Sequence, residues 1–285
     1  MLPDLTDIET WLATREAGVQ GLRAGCAKQI VWANGARKTP IAVVYVHGFS
    51  ATGAEVRPLP GMLAKALGAN LYFARLTGHG QDGAAMGRAR LPDWEADVAE
   101  ALQIGVALGD EVIVMGCSTG CTLLTTALAQ GAPAKGIVHV SPNYGLRDWS
   151  VQALLQMPFV RSWGRYVAGK EQTFEVISDA HAAFWTVKYD TRAVFTMADA
   201  VRAAWASPIE RIHTPAYFAF GETDQVVSPV KTRKMIARWG GTARADILVQ
   251  GPLDDKMGHV MAGDVFSPNQ TAPLAQRIID WARDL

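Results

Sequence analysis

Several short apolar runs, at residues 41–46, 111–115, 136–140 and 215–220, constrain this chain more than any other feature. A half-buried strand alternates apolar with polar residues, whereas these runs (IAVVYV, VIVM, GIVHV, AYFAF) are almost unbroken. Unbroken apolar strands need cover on both faces, which helices provide when they cross over a parallel sheet. Helical spacing does recur between them, at 56–67, 92–108 and 119–130, with a further strand at 70–74. The expected fold is therefore three-layered α/β, a mostly parallel central sheet flanked by helices.

Before this alternation, residues 7–17 have helical spacing through Ile8, Trp11 and Leu12. Residues 28–33 and 41–46 read as two strands joined by NGARKTP, with Asn34-Gly35 marking the turn. The rhythm breaks over 145–207 and resumes with a strand at 215–220, a helix at 228–239, a strand at 245–249 and a helix at 273–281. The interruption is predicted to be an inserted, mostly helical cap, with 1–144 and 208–285 forming the core. It is dense in aromatics: Trp149, Phe159, Trp163, Tyr166, Phe174, Phe184, Trp185, Tyr189, Phe195 and Trp205.

Charge narrows the partners. The 27 Lys plus Arg balance 27 Asp plus Glu, and no basic cluster stands out, so neither nucleic acid nor an acidic membrane surface is an expected partner. The uncharged stretch 112–134 is long enough to span a bilayer, but its glycines, threonines and Pro133 fit strand, tight turn and buried helix. Cys26, Cys117 and Cys121 show no zinc-site spacing and cannot all pair, which suits a reducing compartment. The sequence MLPDLTDIET carries acids where a signal peptide carries bases, so the expected location is the cytoplasm.

Gly116-Cys117-Ser118-Thr119-Gly120 follows a predicted strand directly and opens a predicted helix. In that setting G-x-S-x-G forms a sharp turn that lifts the serine hydroxyl off the sheet edge, with glycines where side chains would collide. The start of the helix directs free amides and a positive dipole end at the same spot, and the Thr119 N–H is a candidate oxyanion donor. An ordinary strand-to-helix turn is the alternative.

A serine nucleophile needs a histidine base, and the histidine needs an orienting carboxylate. Asp224 follows the strand at 215–220, and His259 follows the strand at 245–249, so both fall on loops at the sheet edge that carries Ser118. Glu222 is a rival acid, while Asp254 and Asp255 read as a solvated turn. His139 is expected to be a core residue, and His181 and His213 structural or surface groups. His47 is expected to brace its loop through its ring nitrogens, with Gly48 freeing the backbone so that the Phe49 N–H supplies a second oxyanion donor. His79 sits in a tight turn between Gly78 and Gly80.

Together, HGF at 47–49, RLTGHG at 75–80, GCSTG at 116–120, GETDQVV at 221–227 and GHV at 258–260 resemble the α/β-hydrolase superfamily. The likeness is strongest to its small esterases and monoacylglycerol-lipase-like enzymes. The resemblance implies an α/β-hydrolase fold, a Ser118, Asp224, His259 triad, oxyanion amides from Phe49 and Thr119, and no metal or organic cofactor. Thr77 stands where many relatives have proline, and Cys117 where histidine is frequent. The implied activity is hydrolysis of a small-molecule carboxylic ester with an apolar acyl or alcohol part. Trp149, Trp163, Phe184 and Trp185 are candidate substrate contacts, because binding pockets are lined chiefly by apolar and aromatic groups. Thioester, amide or C–C bond hydrolysis and acyl transfer use the same triad, and a non-catalytic ligand receptor could share the scaffold.

Overall fold

The computed structural model describes residues 2–285. After helix α1 (Ile8–Ala17) come strands β1 (Gln29–Val31) and β2 (Thr39–Val46), then α2 (Leu59–Leu67) and β3 (Asn70–Phe73). Next are α3 (Gly83–Arg88), α4 (Leu91–Leu108), β4 (Gly109–Cys117), α5 (Thr119–Ala129) and β5 (Gly136–Val140). A long excursion then carries α6 (Trp149–Leu155), α7 (Val160–Ala168), β6 (Glu171–Thr173), α8 (Asp179–Phe184), β7 (Lys188–Asp190) and α9 (Arg192–Ala206). The chain closes with β8 (Ala216–Gly221), α10 (Pro229–Arg238), β9 (Ala243–Leu248) and α11 (Pro268–Arg283).

Seven strands form one sheet in the order β1-β3-β2-β4-β5-β8-β9, parallel throughout except for β1. Successive residues of a strand face opposite sides of a sheet, so each apolar run feeds two cores at once. Val44, Val46, Val112 and Val114 pack with Trp94, Leu102 and Leu124 on the face covered by α4 and α5. Val43, Tyr45, Ile113 and Met115 pack with Leu63, Ile278 and Trp281 under α2 and α11. This double burial is why the strands lack alternation.

Two local expectations are corrected. Residues 28–33 and 41–46 do not form a hairpin: β1 pairs antiparallel with β3, Ile30 opposite Tyr72, because both edges of β2 are occupied by its parallel neighbours β3 and β4. The final helix begins at Pro268, not near Pro273, which lies inside it; Pro268 occupies the first turn, where a missing N–H is harmless. The short helix α3, capped by Asp82 accepting the Ala85 N–H, adds to the expected elements.

The stretch 112–134 divides into β4, a turn at Ser118 and the buried helix α5. Among the described residues, no helix is long and apolar enough to cross a membrane. The excursion between β5 and β8 holds four α-helices, an antiparallel β6–β7 pair and a single 3-10 turn at Ile209–Arg211. Met197 and Ala200 of α9 join the main core, so α9 is built into the body of the molecule. A smaller cluster of Leu155, Val160, Phe195 and Ala198 seats α6 and α7 on α9.

Candidate active site

Ser118 sits between β4 and α5 with φ 48° and ψ −113°, a sparsely populated conformation. A Cβ at position 120 would come within 2.1 Å of the Val46 carbonyl oxygen, and one at 116 within 2.6 Å of the Cys121 amide nitrogen. Only glycine fits at either place. The turn is tied to its neighbours by Ser118 N–H donating to the Val140 carbonyl (3.0 Å) and by Asn143 N–H donating to the Ser118 carbonyl (3.1 Å).

His259 Nε2 stands 3.0 Å from Ser118 Oγ, and its Nδ1 stands 2.8 Å from Asp224 Oδ2. Asp224 is buried, and its other oxygen accepts the N–H groups of Val226 and Val227, both at 2.8 Å. Burial alone would push the His259 pKa down. The Asp224 charge and hydrogen bond, with help from Glu55 and Asp255, outweigh that and hold it above the ordinary imidazole value. The rival acid, Glu222, is exposed and paired with Arg233.

The reading of 254–255 as a solvated turn is corrected. Asp254 and Asp255 are only 6% and 8% exposed. Asp255 Oδ2 accepts the backbone N–H of both His259 (2.9 Å) and Val260 (2.8 Å), and its Oδ1 accepts that of Met257 (3.0 Å). A carboxylate can leave water when backbone amides replace its hydration.

On the opposite side of Ser118, His47 braces its loop through both ring nitrogens. Nδ1 lies 2.8 Å from the Gly48 carbonyl, and Nε2 accepts Leu76 N–H at 3.1 Å. Burial lowers its pKa to about 4, so the ring is neutral at pH 7 with the proton on Nδ1. The backbone N–H groups of Phe49 and Thr119 have no acceptor among the described residues. The Phe49 ring meets Tyr189 edge to face, with centroids 5.2 Å apart.

The excursion is fastened to both sides of this site. Thr186 N–H donates to the Ser50 carbonyl (2.7 Å), and Arg147 N–H donates to the Val226 carbonyl (3.0 Å) beside Asp224. Its aromatic side chains differ in placement. Trp149 is 80% exposed and projects into solvent. Trp163 is half-buried and donates to the Pro158 carbonyl, while half-buried Phe184 packs against Gly25. Trp185 is buried edge-on to His181 and Phe266. His181, expected to be structural or at the surface, is buried in this cluster; His139 is a core residue stacked on Phe218, and His213 is exposed.

Among the described residues, no group of three or more His, Cys, Asp or Glu is placed to hold a metal ion. A groove of about 510 Å³ between α4 and α5, lined by Val98, Leu102, Val106 and Leu123, holds none of the site residues. Two buried carboxylates near the site, Asp255 and Glu55, went unrecognised in the sequence. Glu55 did carry a faint signal, as the first charged residue after an uncharged stretch from 39 to 54.

Residues 43–272 match the sequence model of the alpha/beta hydrolase family, most of the chain. The chain belongs to that family. This α/β hydrolase is 38% identical over 107 residues to a thermostable monoacylglycerol lipase of Bacillus sp. (strain H-257), a match covering 37% of the chain and 42% of that lipase. The chain thus aligns with less than half the length of that curated relative.

Solved structures show the same fold. A structure of metagenome-derived lipolytic enzymes described as LipS and LipT matches with a TM-score of 0.75 at 21% identity, covering 93% of the hydrolase and 100% of that chain. Monoacylglycerol lipase of Paleococcus ferrophilus matches at 0.63 and 14% identity, covering 89% and 96% of the two chains. A soluble variant of Saccharomyces cerevisiae monoglyceride lipase, in complex with a substrate analogue, matches at 0.64 and 14% identity, covering 90% of each.

Proposed function

We propose that this α/β hydrolase cleaves carboxylic esters through a covalent acyl-enzyme on Ser118. The observation that carries the reading is the continuous path from Asp224 Oδ2 to His259 Nδ1, 2.8 Å, and from His259 Nε2 to Ser118 Oγ, 3.0 Å. As Ser118 Oγ attacks the ester carbonyl carbon, its proton passes to His259 Nε2. The imidazolium so formed is stabilised by Asp224, which also holds the proton on Nδ1. The carbonyl oxygen, now negative, is met by the free N–H groups of Phe49 and Thr119. Each such donor is worth about 3 kcal/mol of transition-state stabilisation in serine hydrolases.

His259 then returns the proton to the departing alkoxide, leaving the acyl group on Ser118. Water, deprotonated by the same nitrogen, attacks the acyl carbon; as the acyl–Oγ bond breaks, that proton passes to Ser118 Oγ and the acid is freed. All proton transfers use one nitrogen, and no cofactor enters the scheme.

The substrate proposed is a small ester with an apolar acyl or alcohol part. Residues 145–207 act as a cap over Ser118, a role supported by their attachment beside Ser50 and Val226 and by their aromatic content. The partial likeness to a monoacylglycerol lipase supports the same substrate class. The three buried free cysteines suit the reducing cytoplasm, the location proposed.

A fluorophosphonate probe and an acyl-length series of chromogenic esters, with thioesters and amides beside them, test the reading. Wild type is expected to be labelled and to turn over esters, and Ser118→Ala to do neither. Well-folded wild type that takes no label would overturn the proposal in favour of a non-catalytic receptor. Faster turnover of thioesters or amides would reassign the leaving group while keeping the triad.

A further inference from the structure

Glu55 is a buried carboxyl for which the reaction scheme above has no use. Among the described residues, it forms no salt bridge. A buried acid without a cation is expensive to keep, and burial pushes its pKa up. What it does hold is specific: its Oε2 accepts the Gly48 N–H at 2.6 Å and the Tyr45 hydroxyl at 2.9 Å.

Gly48 lies between this carboxyl and the nucleophile. A Cβ built on it would stand 2.6 Å from Glu55 Oε1 on one side and 3.1 Å from Ser118 Cβ on the other. The peptide unit before Gly48 is held by Glu55 through the N–H. The unit after it is held by His47, whose Nδ1 lies 2.8 Å from the Gly48 carbonyl oxygen. In a planar trans peptide, C=O and N–H point in opposite directions. Fixing the Gly48 carbonyl therefore fixes the Phe49 N–H as well. Glycine by itself would let both dihedrals swing. Two anchors, one on each side, remove that freedom.

We propose that Glu55 is a positioning residue for the oxyanion site, holding Gly48 through its N–H so that the Phe49 N–H stays directed at the acyl oxygen bound over Ser118. The assignment rests on the esterase reading. The positioning is done by a hydrogen bond, separately from the charge by which Glu55 helps to raise the His259 pKa: the acceptor must be present at that distance, ionised or not. Tyr45 keeps the carboxyl from rotating away, and neither residue touches substrate.

The test compares wild type with Glu55→Ala, Glu55→Gln and Glu55→Asp, on the high-pH plateau where His259 is neutral in every variant, for kcat, KM and affinity for an alkylboronic acid, which forms a tetrahedral adduct with the active serine. Thermal unfolding of each variant is measured alongside. Glu55→Gln keeps an oxygen acceptor and is expected to retain kcat within about threefold. Glu55→Ala is expected to lose about tenfold or more in kcat, with KM within about twofold, and boronate affinity is expected to fall in parallel. A loss confined to stability, with kcat unchanged in the folded fraction, would overturn the proposal. Equal losses in Gln and Ala would also overturn it, since charge would then be the cause.

Should the alanine variant not fold, Glu55→Asp decides. Its carboxyl is withdrawn by one methylene, so an intermediate loss of kcat at unchanged KM is expected, and wild-type kcat would overturn the assignment. Wild type inert to both ester and phosphonate would instead bring down the esterase reading, and this inference with it.

Discussion

Asp255 holds the backbone of His259, not its ring: one carboxylate oxygen accepts the His259 N–H at 2.9 Å, four residues downstream. The same oxygen takes the Val260 N–H, and its partner oxygen takes that of Met257, so a single side chain gathers three amides of the loop that presents the imidazole. Asp224 fixes the ring from the far side. Two acids therefore divide the work, one setting where the histidine backbone lies and the other setting its tautomer. Asp255→Ala strips three amides of their acceptor and lets the loop drift. A displacement of about 1 Å at a reacting group can cost on the order of a hundredfold, which is the expected fall in kcat/KM. Near-wild-type turnover in a folded Asp255→Ala variant would remove Asp255 from this account.

The pH profile follows from the raised His259 pKa. Burial lowers it, but Asp224, Glu55 and Asp255 together raise it above the ordinary value of 6.5. The base form is the neutral imidazole, so kcat/KM should rise with pH and reach half its plateau above pH 6.5. Asp224→Asn removes the largest of the raising influences. It should move that midpoint to lower pH and depress the plateau by about 10³- to 10⁴-fold, as loss of the correct tautomer does in serine proteases. An acid limb centred well below 6.5 in wild type would contradict the assignment of His259 as base.

The parts of the fold legible in the sequence were those dictated by burial on two faces. The runs that became β2, β4, β5 and β8 could be read as parallel strands because, beyond the exposed ends of β2 and β4, both of their faces are buried. The pairing of β1 was not legible, because three residues on a sheet edge carry no pattern that distinguishes β2 from β3 as the partner. In the candidate site, chain order and loop position pointed to Ser118, His259 and the loop that carries Glu222 and Asp224; in the structure His259 stands within hydrogen-bonding reach of both Ser118 and Asp224. The acids that shape the backbone were hidden for a physical reason. Asp255 is satisfied by three amide hydrogens, which every residue except proline carries, and Glu55 by one amide and the hydroxyl of Tyr45 ten residues earlier, so no charged partner in the sequence announces either.

Two glycine substitutions should act in opposite directions. Gly120→Ala drives a methyl group to within 2.1 Å of the Val46 carbonyl oxygen, a backbone atom that cannot step aside without moving β2. Activity should be lost along with stability, since the displaced strand runs directly into His47 and Gly48. Gly61 lies in α2, and a Cβ there meets nothing within 4 Å. Gly61→Ala should therefore stabilise the protein by about 0.5–1 kcal/mol and leave turnover unchanged. Urea unfolding with activity assays on both variants checks the pair, and destabilisation by Gly61→Ala would show that α2 is packed more tightly than its surroundings indicate.

A fourth expectation concerns the bidentate pair between Arg75 and Glu16, which links α1 to the loop after β3. Both contacts are 2.7 Å, and the side chains are only 6% and 7% exposed. Burial raises the Glu16 pKa, but the hydrogen bonds and charge of Arg75, with the Lys28 N–H, hold it below its usual value. A carboxylate with a depressed folded-state pKa lends stability in full above its unfolded pKa and loses it as pH falls toward the folded value. Arg75→Met leaves the Glu16 charge buried without its cation, and should cost about 3–5 kcal/mol at neutral pH. Acidification should then reverse its usual effect, because protonating Glu16 relieves the variant while it weakens wild type. Adding Glu16→Leu to Arg75→Met removes the stranded charge and should recover most of the loss. Denaturant titrations of wild type, Arg75→Met and the double variant at pH 7 and pH 4 measure this directly; a double variant no more stable than Arg75→Met would mean that the pair serves the packing of α1 through its alkyl groups and not through its charges.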